Sequence, residues 1–164
     1  MKKIGLISDT HGFVHPELFK FFDSVDEIWH AGDIGAVEVI HQLEDFKPVR
    51  AVYGNIDGYP LRHMLPEKLS FTCEAVRVAI IHIGGYPGRY SPAGRELIRK
   101  SSPKLFISGH SHILKVMYDH KFDLLHINPG AAGISGLHKK ITWVRFEIHD
   151  SDIRNLEIHE IGRR

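Results

Sequence analysis

Short apolar segments alternate with amphipathic segments over the first third of the chain. Apolar runs at residues 3–8, 27–31 and 49–53 are separated by two segments whose apolar residues recur at helical spacing. The first amphipathic segment opens with His15-Pro16-Glu17, and proline favours the first turn of a helix. Strands that alternate with helices predict right-handed crossovers and parallel pairing of the three strands.

The pattern changes after Pro66. Two apolar runs, at residues 69–73 and 76–82, are separated by two residues, which predicts an antiparallel hairpin. Residues 83–91 are rich in glycine and proline and predict a loop, after which Ser91-Pro92 supplies an N-cap and a first-turn proline for a helix ending near residue 101. Further strands are predicted at residues 105–108, 115–119, 124–128, 141–148 and 153–161. The second half is therefore predicted to be largely antiparallel.

The composition is that of a folded domain. The chain has 164 residues, 43% of them apolar, and no composition shift or repeat divides it, so one domain over residues 1–164 is predicted. Lys and Arg number 21 against 20 Asp and Glu, so the bulk charge indicates neither a nucleic-acid nor a membrane partner. No apolar run approaches the roughly 18 to 20 residues of a membrane span. Cys73 is the one cysteine and the chain opens on a strand-like run rather than a signal sequence, which predicts a cytoplasmic protein.

Histidine is the residue type in excess, with 13 in 164 residues, and several of these histidines stand at the ends of predicted strands. Five predicted strands end in side chains that can bind a metal ion. These are Asp9 and His11, Asp33, Asn55, His82, and His110 with His112. Ligands bind at the carboxyl edge of the strands in α/β sheets because the loops converge there, so we expect these side chains to lie together.

Local spacing adds detail to this expectation. Residues at positions i and i+2 of an extended backbone project to the same side, so the pairs Asp9/His11 and His110/His112 are each predicted to reach a common centre. Glycine precedes Asp33, Asn55 and His110, and frees the backbone for a sharp exit from the strand.

Seven such side chains exceed the needs of one tetrahedral ion. Two ions about 3.5 to 4 Å apart, bridged by one carboxylate, would use all seven, and this arrangement suits phosphoryl transfer. The mixture of carboxylate, amide and imidazole favours manganese, iron, zinc, cobalt or nickel over calcium. The sequence therefore predicts two divalent transition metal ions.

The order of these motifs resembles that of the calcineurin-like metallophosphoesterases. The matching blocks are Asp9-x-His11, Gly32-Asp33, Gly54-Asn55, His82 and Gly109-His110-x-His112. Gly54-Asn55-Ile56-Asp57 and Asn128-Pro129-Gly130 resemble the compact bacterial and archaeal phosphodiesterase branch, which also includes the retromer scaffold subunit of eukaryotes. The resemblance spans residues 9–130. It implies an α/β fold in which a two-sheet β-sandwich with mixed parallel and antiparallel strands is flanked by helices, an αββα arrangement.

The resemblance also implies a division of the ligands. Asp9, His11, Asp33 and His112 would hold one metal, and Asp33, Asn55, His82 and His110 would hold the other. Asp33 would bridge the two ions. The implied reaction is attack by a metal-bound hydroxide on the phosphorus of a small or nucleotide-like phosphodiester, without a covalent intermediate.

One position departs from the larger members of the family, in which a histidine after the Gly-Asn pair stabilises the transition state or protonates the leaving group. This chain has Ile56 at that position. The compact branch of the family usually lacks the histidine too, so Ile56 agrees with membership of that branch. General-acid catalysis, worth about 10² to 10⁴ in rate, must then come from elsewhere or be missing. Asp57 is the nearest candidate, and Asn55 is the second predicted catalytic residue. If Asp57 orients another group instead, substrates with acidic leaving groups are expected to react best.

Other roles are open at this point. Arg62, His63 and Arg89 follow metal-binding strands and Asn128 lies in the Asn-Pro-Gly turn; all four are predicted substrate contacts, with solvated-loop or turn-forming roles as alternatives.

A non-catalytic interaction module, a phosphomonoesterase and a histidine-rich metal carrier are the alternative functions. A vestigial site should have lost ligands, and a carrier should have clustered histidines, whereas this chain keeps all seven positions and disperses its histidines. A small phosphodiester is the expected partner, and a homo-oligomer is compatible with the sequence.

Overall fold

Two five-stranded sheets packed face to face form the framework of the protein, as described by a computed structural model over residues 1–163. The helices are α1 (Glu17–Phe21), α2 (Val37–Glu44), α3 (Leu61–Met64) and α4 (Pro92–Ser101). The strands are β1 (Lys2–Ile7), β2 (Glu27–His30), β3 (Val49–Ala51), β4 (Lys68–Cys73), β5 (Val76–Ile81), β6 (Gly85–Tyr86), β7 (Arg89–Tyr90), β8 (Leu105–Ile107), β9 (Leu114–Asp119), β10 (Leu124–Pro129), β11 (Lys140–His149) and β12 (Asp152–Gly162).

The first sheet has the strand order β12-β11-β1-β2-β3. Strands β1, β2 and β3 are parallel, as the alternation of apolar and amphipathic segments predicted. The two C-terminal strands join this sheet, because β11 pairs antiparallel with β1 and β12 pairs antiparallel with β11. Strand β1 is therefore central in its sheet, with a partner on each side.

The second sheet has the strand order β4-β5-β8-β10-β9. The predicted β4–β5 hairpin is confirmed, and β9 pairs antiparallel with β10. The prediction that the second half is largely antiparallel is wrong at the centre of this sheet, where β5, β8 and β10 run parallel. The crossover through α4 returns β8 in the direction of β5, as helical crossovers do.

Three apolar layers give the predicted αββα arrangement. Residues between the sheets include Trp29 and Phe146 from the first sheet and Ile107 from the second, all buried. Helices α1 and α2 cover the outer face of the first sheet, and α4 covers the outer face of the second, where Leu97 packs with Phe106. Across residues 1–163, no helix is both long and apolar enough to cross a membrane.

Two local elements differ from the predictions. Helix α3 has four residues, too few to show a helical period in the sequence. The segment predicted as a loop at residues 83–91 contains the small hairpin of β6 and β7. The predicted N-cap of α4 is confirmed, because the Ser91 side chain accepts a hydrogen bond from the Gly94 N–H at 2.9 Å.

Candidate metal centre

The seven predicted metal ligands follow the carboxyl ends of β1, β2 and β3 in the first sheet and of β5 and β8 in the second. Backbone hydrogen bonds hold the loops after these strands together. The Asp9 N–H donates to the Gly32 carbonyl at 2.9 Å, and the Gly109 N–H donates to the His82 carbonyl at 2.9 Å. The expected convergence of the loops is therefore observed.

The side chains fall into two groups that can each hold a metal ion. One consists of Asp9, His11 and His112, and the other of Asp33, His82 and His110. Within each group the ligand atoms lie within 4.8 Å of one another. The four histidines are divided between these groups as in the sets that the family resemblance implied.

The backbone of five ligands is not extended. Their φ angles lie between +48° and +71°, in the left-handed region. They are Asp9, His11, Asp33, His110 and His112. The prediction that each i, i+2 pair lies on an extended backbone and reaches a common centre is therefore wrong. Asp9 and His11 do share a group, but His110 and His112 belong to different groups. Non-glycine residues in this region cost of order 1 to 3 kcal/mol each and cluster at functional sites.

Asp33 occupies the position expected of a bridging carboxylate. Its Oδ2 lies 3.2 Å from His82 Nε2 in its own group and 3.5 Å from His11 Nε2 in the other. Its Oδ1 accepts the Ile56 N–H at 3.1 Å, which fixes the orientation of the carboxylate. Two ligands bound about 2.1 Å from one ion lie roughly 3 Å apart, so these separations suit coordination.

Asp9 and Asn55 complete the two ligand sets. Asp9 Oδ1 lies 3.2 Å from His112 Nε2, while its Oδ2 accepts hydrogen bonds from the Ser8 hydroxyl at 2.6 Å and the His110 N–H at 3.1 Å. Asn55 Oδ1 lies 3.0 Å from His110 Nδ1, which places the amide beside the second group.

Three buried atoms at the centre lack hydrogen-bond partners among residues 1–163: Asp9 Oδ1, His11 Nε2 and His82 Nε2. Leaving such groups unpaired costs about 1 to 3 kcal/mol each. The His82 Nδ1–H donates to the Ala31 carbonyl at 2.8 Å, which leaves the Nε2 lone pair directed at the carboxylates. A divalent cation would satisfy all three atoms, so the residues present fit a metal centre.

The carboxylates keep their charge in this setting. Burial alone would raise the pKa of Asp9, but the neighbouring imidazoles of His11, His112 and His82 hold that pKa well below its usual range. Burial likewise opposes ionisation of Asp33, whereas His82 lowers its pKa overall. The pKa of His82 is raised, because the two carboxylates outweigh the effect of its burial. The centre thus presents two negative charges to a cation.

Two of the glycines predicted to free the backbone also permit close approach. A Cβ atom on Gly54 would collide with the backbone N and the carboxylate of Asp33. Gly32 has a φ of +103°, and a Cβ atom there would lie 2.7 Å from the His82 ring. A side chain at either position would push a ligand out of place.

Asp57 lies beneath the centre and is 3% exposed. Its Oδ2 accepts the N–H groups of Gly54 at 2.8 Å and Ile34 at 3.1 Å, and its Oδ1 accepts the Gly35 N–H at 2.8 Å. Both oxygens of this carboxylate are therefore engaged as acceptors of backbone N–H groups. The geometry therefore favours orientation of the metal-binding loops over proton donation, the two roles that the sequence left open for Asp57.

Arg62 and His63 do not extend into the two ligand groups. The Arg62 guanidinium donates to the backbone carbonyls of Asp57 and, at 3.3 Å, of Asn55, and it stacks on the Tyr53 ring. The His63 ring is exposed and packs edge-on against Tyr59. The arrangement favours a loop-bracing role for Arg62 over the predicted phosphate contact.

Arg89 and Asn128 line a pocket of about 250 Å³ that also includes His110. The Asn128 amide donates to the Gly109 carbonyl at 3.0 Å and to the Ser111 hydroxyl at 3.1 Å. Its side chain therefore supports the loop that carries His110, which agrees with the structural alternative. The Arg89 side chain is exposed and stays a predicted substrate contact.

Sequence reasoning missed a buried layer behind the ligands. The His30 Nε2–H donates to the Thr10 hydroxyl at 3.0 Å, and that hydroxyl donates to the Ile34 carbonyl at 2.9 Å. The Gly32 N–H donates to His30 Nδ1 at 3.1 Å. Burial lowers the pKa of His30 to about 4. The position of Thr10 between Asp9 and His11 was the one available signal.

His126 gives the folded state a pH dependence outside the ligand groups. Its ring is buried, and burial lowers its pKa to about 4 from an unfolded value near 6.5. Below pH 6.5 the unfolded chain binds a proton that the folded chain does not, so the free energy of unfolding falls as the pH drops. We expect this loss to be about 3 kcal/mol smaller between pH 6.5 and 4 in His126→Phe than in the wild type.

Urea unfolding of the chelated protein at several pH values measures this difference. His120→Phe, at an exposed histidine, is the matched control and should keep the wild-type dependence. Equal pH dependence in His126→Phe and the wild type would contradict the prediction.

Comparison with known proteins gives consistent similarities. The family model described as the calcineurin-like phosphoesterase superfamily domain matches residues 1–151. A protein of Methanothermobacter thermautotrophicus named "Probable metallophosphoesterase" is 32% identical over 142 residues, covering 82% of this chain and 79% of that protein. A solved archaeal phosphodiesterase has a TM-score of 0.73 at 24% identity, covering 98% of this chain and 99% of that chain. Vps29 of Chaetomium thermophilum has a TM-score of 0.79 at 14% identity, covering 98% of this chain and 97% of that chain.

Proposed function

The chain belongs to the calcineurin-like phosphoesterase superfamily, and on that premise we propose that it hydrolyses small or nucleotide-like phosphodiesters with two divalent metal ions. One observation carries the proposal. Asp33 Oδ2 lies within 3.5 Å of a histidine from each ligand group, and buried atoms of both groups lack other partners. A non-catalytic scaffold has no need to keep this arrangement intact.

The residues at the metal centre have separate roles. When bound, two divalent ions lower the pKa of water toward roughly 7 and screen the phosphoryl oxygens. Asp9 and Asp33 supply the negative charge that holds the ions, and His82 presents its Nε2 in a fixed tautomer. Asn55 stands at the second group, where its amide can hold the substrate in place. The donor set favours manganese, iron, zinc, cobalt or nickel.

The surroundings of His110 favour a diester over a monoester. Two hollows flank the loop after β8, residues 109–113, and both include His110. One, of about 250 Å³, is lined by Arg89 and Lys115; the other, of about 470 Å³, is lined by Leu137 and His138. A diester has two organic arms, and each hollow can receive one, whereas a monoester would leave one hollow unused.

A reconstitution assay tests this function. Chelated protein should be inactive on bis(4-nitrophenyl) phosphate, and activity should rise with added Mn²⁺, Fe²⁺, Zn²⁺, Co²⁺ or Ni²⁺ up to two equivalents per chain. Hydrolysis of 4-nitrophenyl phosphate, the monoester, should be slower. Metal binding without any hydrolysis would support the scaffold alternative, and faster monoester hydrolysis would support a phosphomonoesterase.

The same assay, run with a series of aryl diesters, measures how the rate of hydrolysis depends on the pKa of the leaving group. Ile56 is 48% exposed and cannot donate a proton, and the Asp57 carboxylate is used by three N–H groups. The rate should therefore fall steeply as the leaving-group pKa rises. Ile56→His should reduce this slope, since it restores a donor worth about 10² or more in rate, whereas the matched Ile56→Leu should not. A flat wild-type line would mean that a donor is present after all.

A further inference from the structure

The 250 Å³ hollow beside His110 has the features of a binding pocket for a flat ring. Ile83, Tyr86 and Ile113 form its walls and are 43%, 37% and 62% exposed, an unusual degree for large apolar side chains that face one hollow. Its volume equals roughly eight water molecules at about 30 Å³ each, enough for a heteroaromatic ring system.

His126 lies in the wall of this hollow and carries an unused acceptor. The ring is buried, and its Nδ1–H donates to the Phe106 carbonyl at 3.1 Å, which fixes the neutral tautomer with the lone pair on Nε2. Nε2 is buried and has no hydrogen-bond partner among residues 1–163. Buried acceptors are nearly always paired in folded proteins, so an unpaired one on a residue that lines a pocket points to a ligand that donates.

The charged side chains around the hollow suit a substrate whose phosphate lies at the neighbouring ligand groups. Arg89 and Lys115 also line it, and the Lys115 ammonium lies 4.4 Å from the centre of the Tyr86 ring. Both cations attract a phosphate, while His110 joins the hollow to the second ligand group. A molecule with its phosphate at the ligand groups would extend its organic arm into the hollow.

We propose that this pocket binds the purine base of a nucleotide diester and that His126 Nε2 accepts a hydrogen bond from an exocyclic amino group on the edge of the base. This proposal rests on the proposed function and specifies one arm of its substrate. An alkyl or simple aryl arm could occupy the apolar walls but would leave Nε2 unpaired. His126 is then a specificity-determining residue, and sites that hydrogen-bond a substrate group reject analogues that lack it.

Matched substrates that differ in one amino group test the proposal. The 4-nitrophenyl esters of adenosine 5′-monophosphate and of purine riboside 5′-monophosphate differ in the 6-amino group, and those of guanosine and inosine 5′-monophosphate differ in the 2-amino group. In at least one pair, wild-type kcat/KM should favour the amino-bearing ester by about tenfold or more. His126→Phe should reduce this preference to within about twofold. His126→Gln, which keeps an acceptor oxygen, should restore part of it, and His120→Phe should leave it unchanged.

Far-ultraviolet circular dichroism spectra that match the wild type are the control for folding of both His126 variants, and activity on bis(4-nitrophenyl) phosphate should be unchanged in His120→Phe. A wild type that does not discriminate within either pair overturns the proposal, whatever the variants do. A preference that persists in His126→Phe also overturns it.

A binding measurement separates this proposal from the proposed function. If metal-loaded wild type fails to hydrolyse bis(4-nitrophenyl) phosphate, the function is wrong, but calorimetry with adenosine and guanosine 5′-monophosphates still tests the pocket. Binding of at least one nucleotide that weakens about tenfold in His126→Phe supports the pocket. Absent or unchanged binding of both overturns it.

Discussion

Asp33→Asn is expected to lower kcat/KM for aryl phosphodiesters by about 10³-fold or more and to reduce the bound metal from two ions per chain to one or none. Loss of a single preorganised hydrogen-bond donor at an active site commonly costs about 10² to 10³ in rate. Here the same oxygen faces His82 at 3.2 Å and His11 at 3.5 Å, so neutralising it removes a charged ligand from both groups at once. Metal analysis of the purified protein and a diester assay measure the two effects.

Asp45→Asn is the matched control, because Asp45 is exposed at the end of α2 and belongs to neither ligand group. It should retain both metals and full activity. Equal activity of Asp33→Asn and the wild type would show that hydrolysis does not use this centre. Loss of activity with both metals retained would instead limit the role of Asp33 to the chemical step.

Asp57→Asn should lower the free energy of unfolding by about 1 to 3 kcal/mol in the chelated protein, because it leaves a buried N–H group without an acceptor. Three backbone N–H groups donate to this carboxylate. An amide has one acceptor oxygen, and its NH₂ group would face an N–H of Gly35 or Gly54. The loop that carries Asn55 would also shift, and a displacement of about 1 Å at a reacting centre can cost about 10²-fold in rate.

Urea unfolding and the diester assay measure the two effects of this substitution. Asp23→Asn, at an exposed aspartate, should change neither. A variant with wild-type stability but no activity would indicate a direct chemical role for Asp57, such as the proton donation that its three N–H contacts disfavour. Wild-type values for both would show that the network is dispensable.

The metal ligands could be predicted from the sequence because they depend on order and on position at strand ends. Apolar runs end at Ser8, Ala31 and Tyr53, and the polar residues that follow must lie at one edge if the strands are parallel. The assignment of His110 and His112 to different groups follows from left-handed backbone angles that no local sequence pattern indicates. Only the family resemblance predicted that these two histidines belong to different groups.

Other features depended on contacts between distant parts of the chain. Strand β8 has three residues, and its parallel pairing with both β5 and β10 is decided by the sheet that receives it. The role of Asp57 depends on N–H groups more than twenty residues away in sequence, at Ile34 and Gly35. The buried contact between His30 and Thr10 likewise joins residues that are twenty positions apart. The spacing of residues along the chain does not predict such partners.

The strand ends that supply the ligands belong to both layers of the sandwich. Asp9 and His11 follow a strand of the first sheet, whereas their group partner His112 follows a strand of the second. Asp33 and His82 are divided between the sheets in the same way. Each ion would therefore act as a cross-link that ties the two sheets together at their open edge. Since ligands that bind only the native state raise its stability by mass action, the metal supply of the cell would influence how long this protein survives as well as how fast it works.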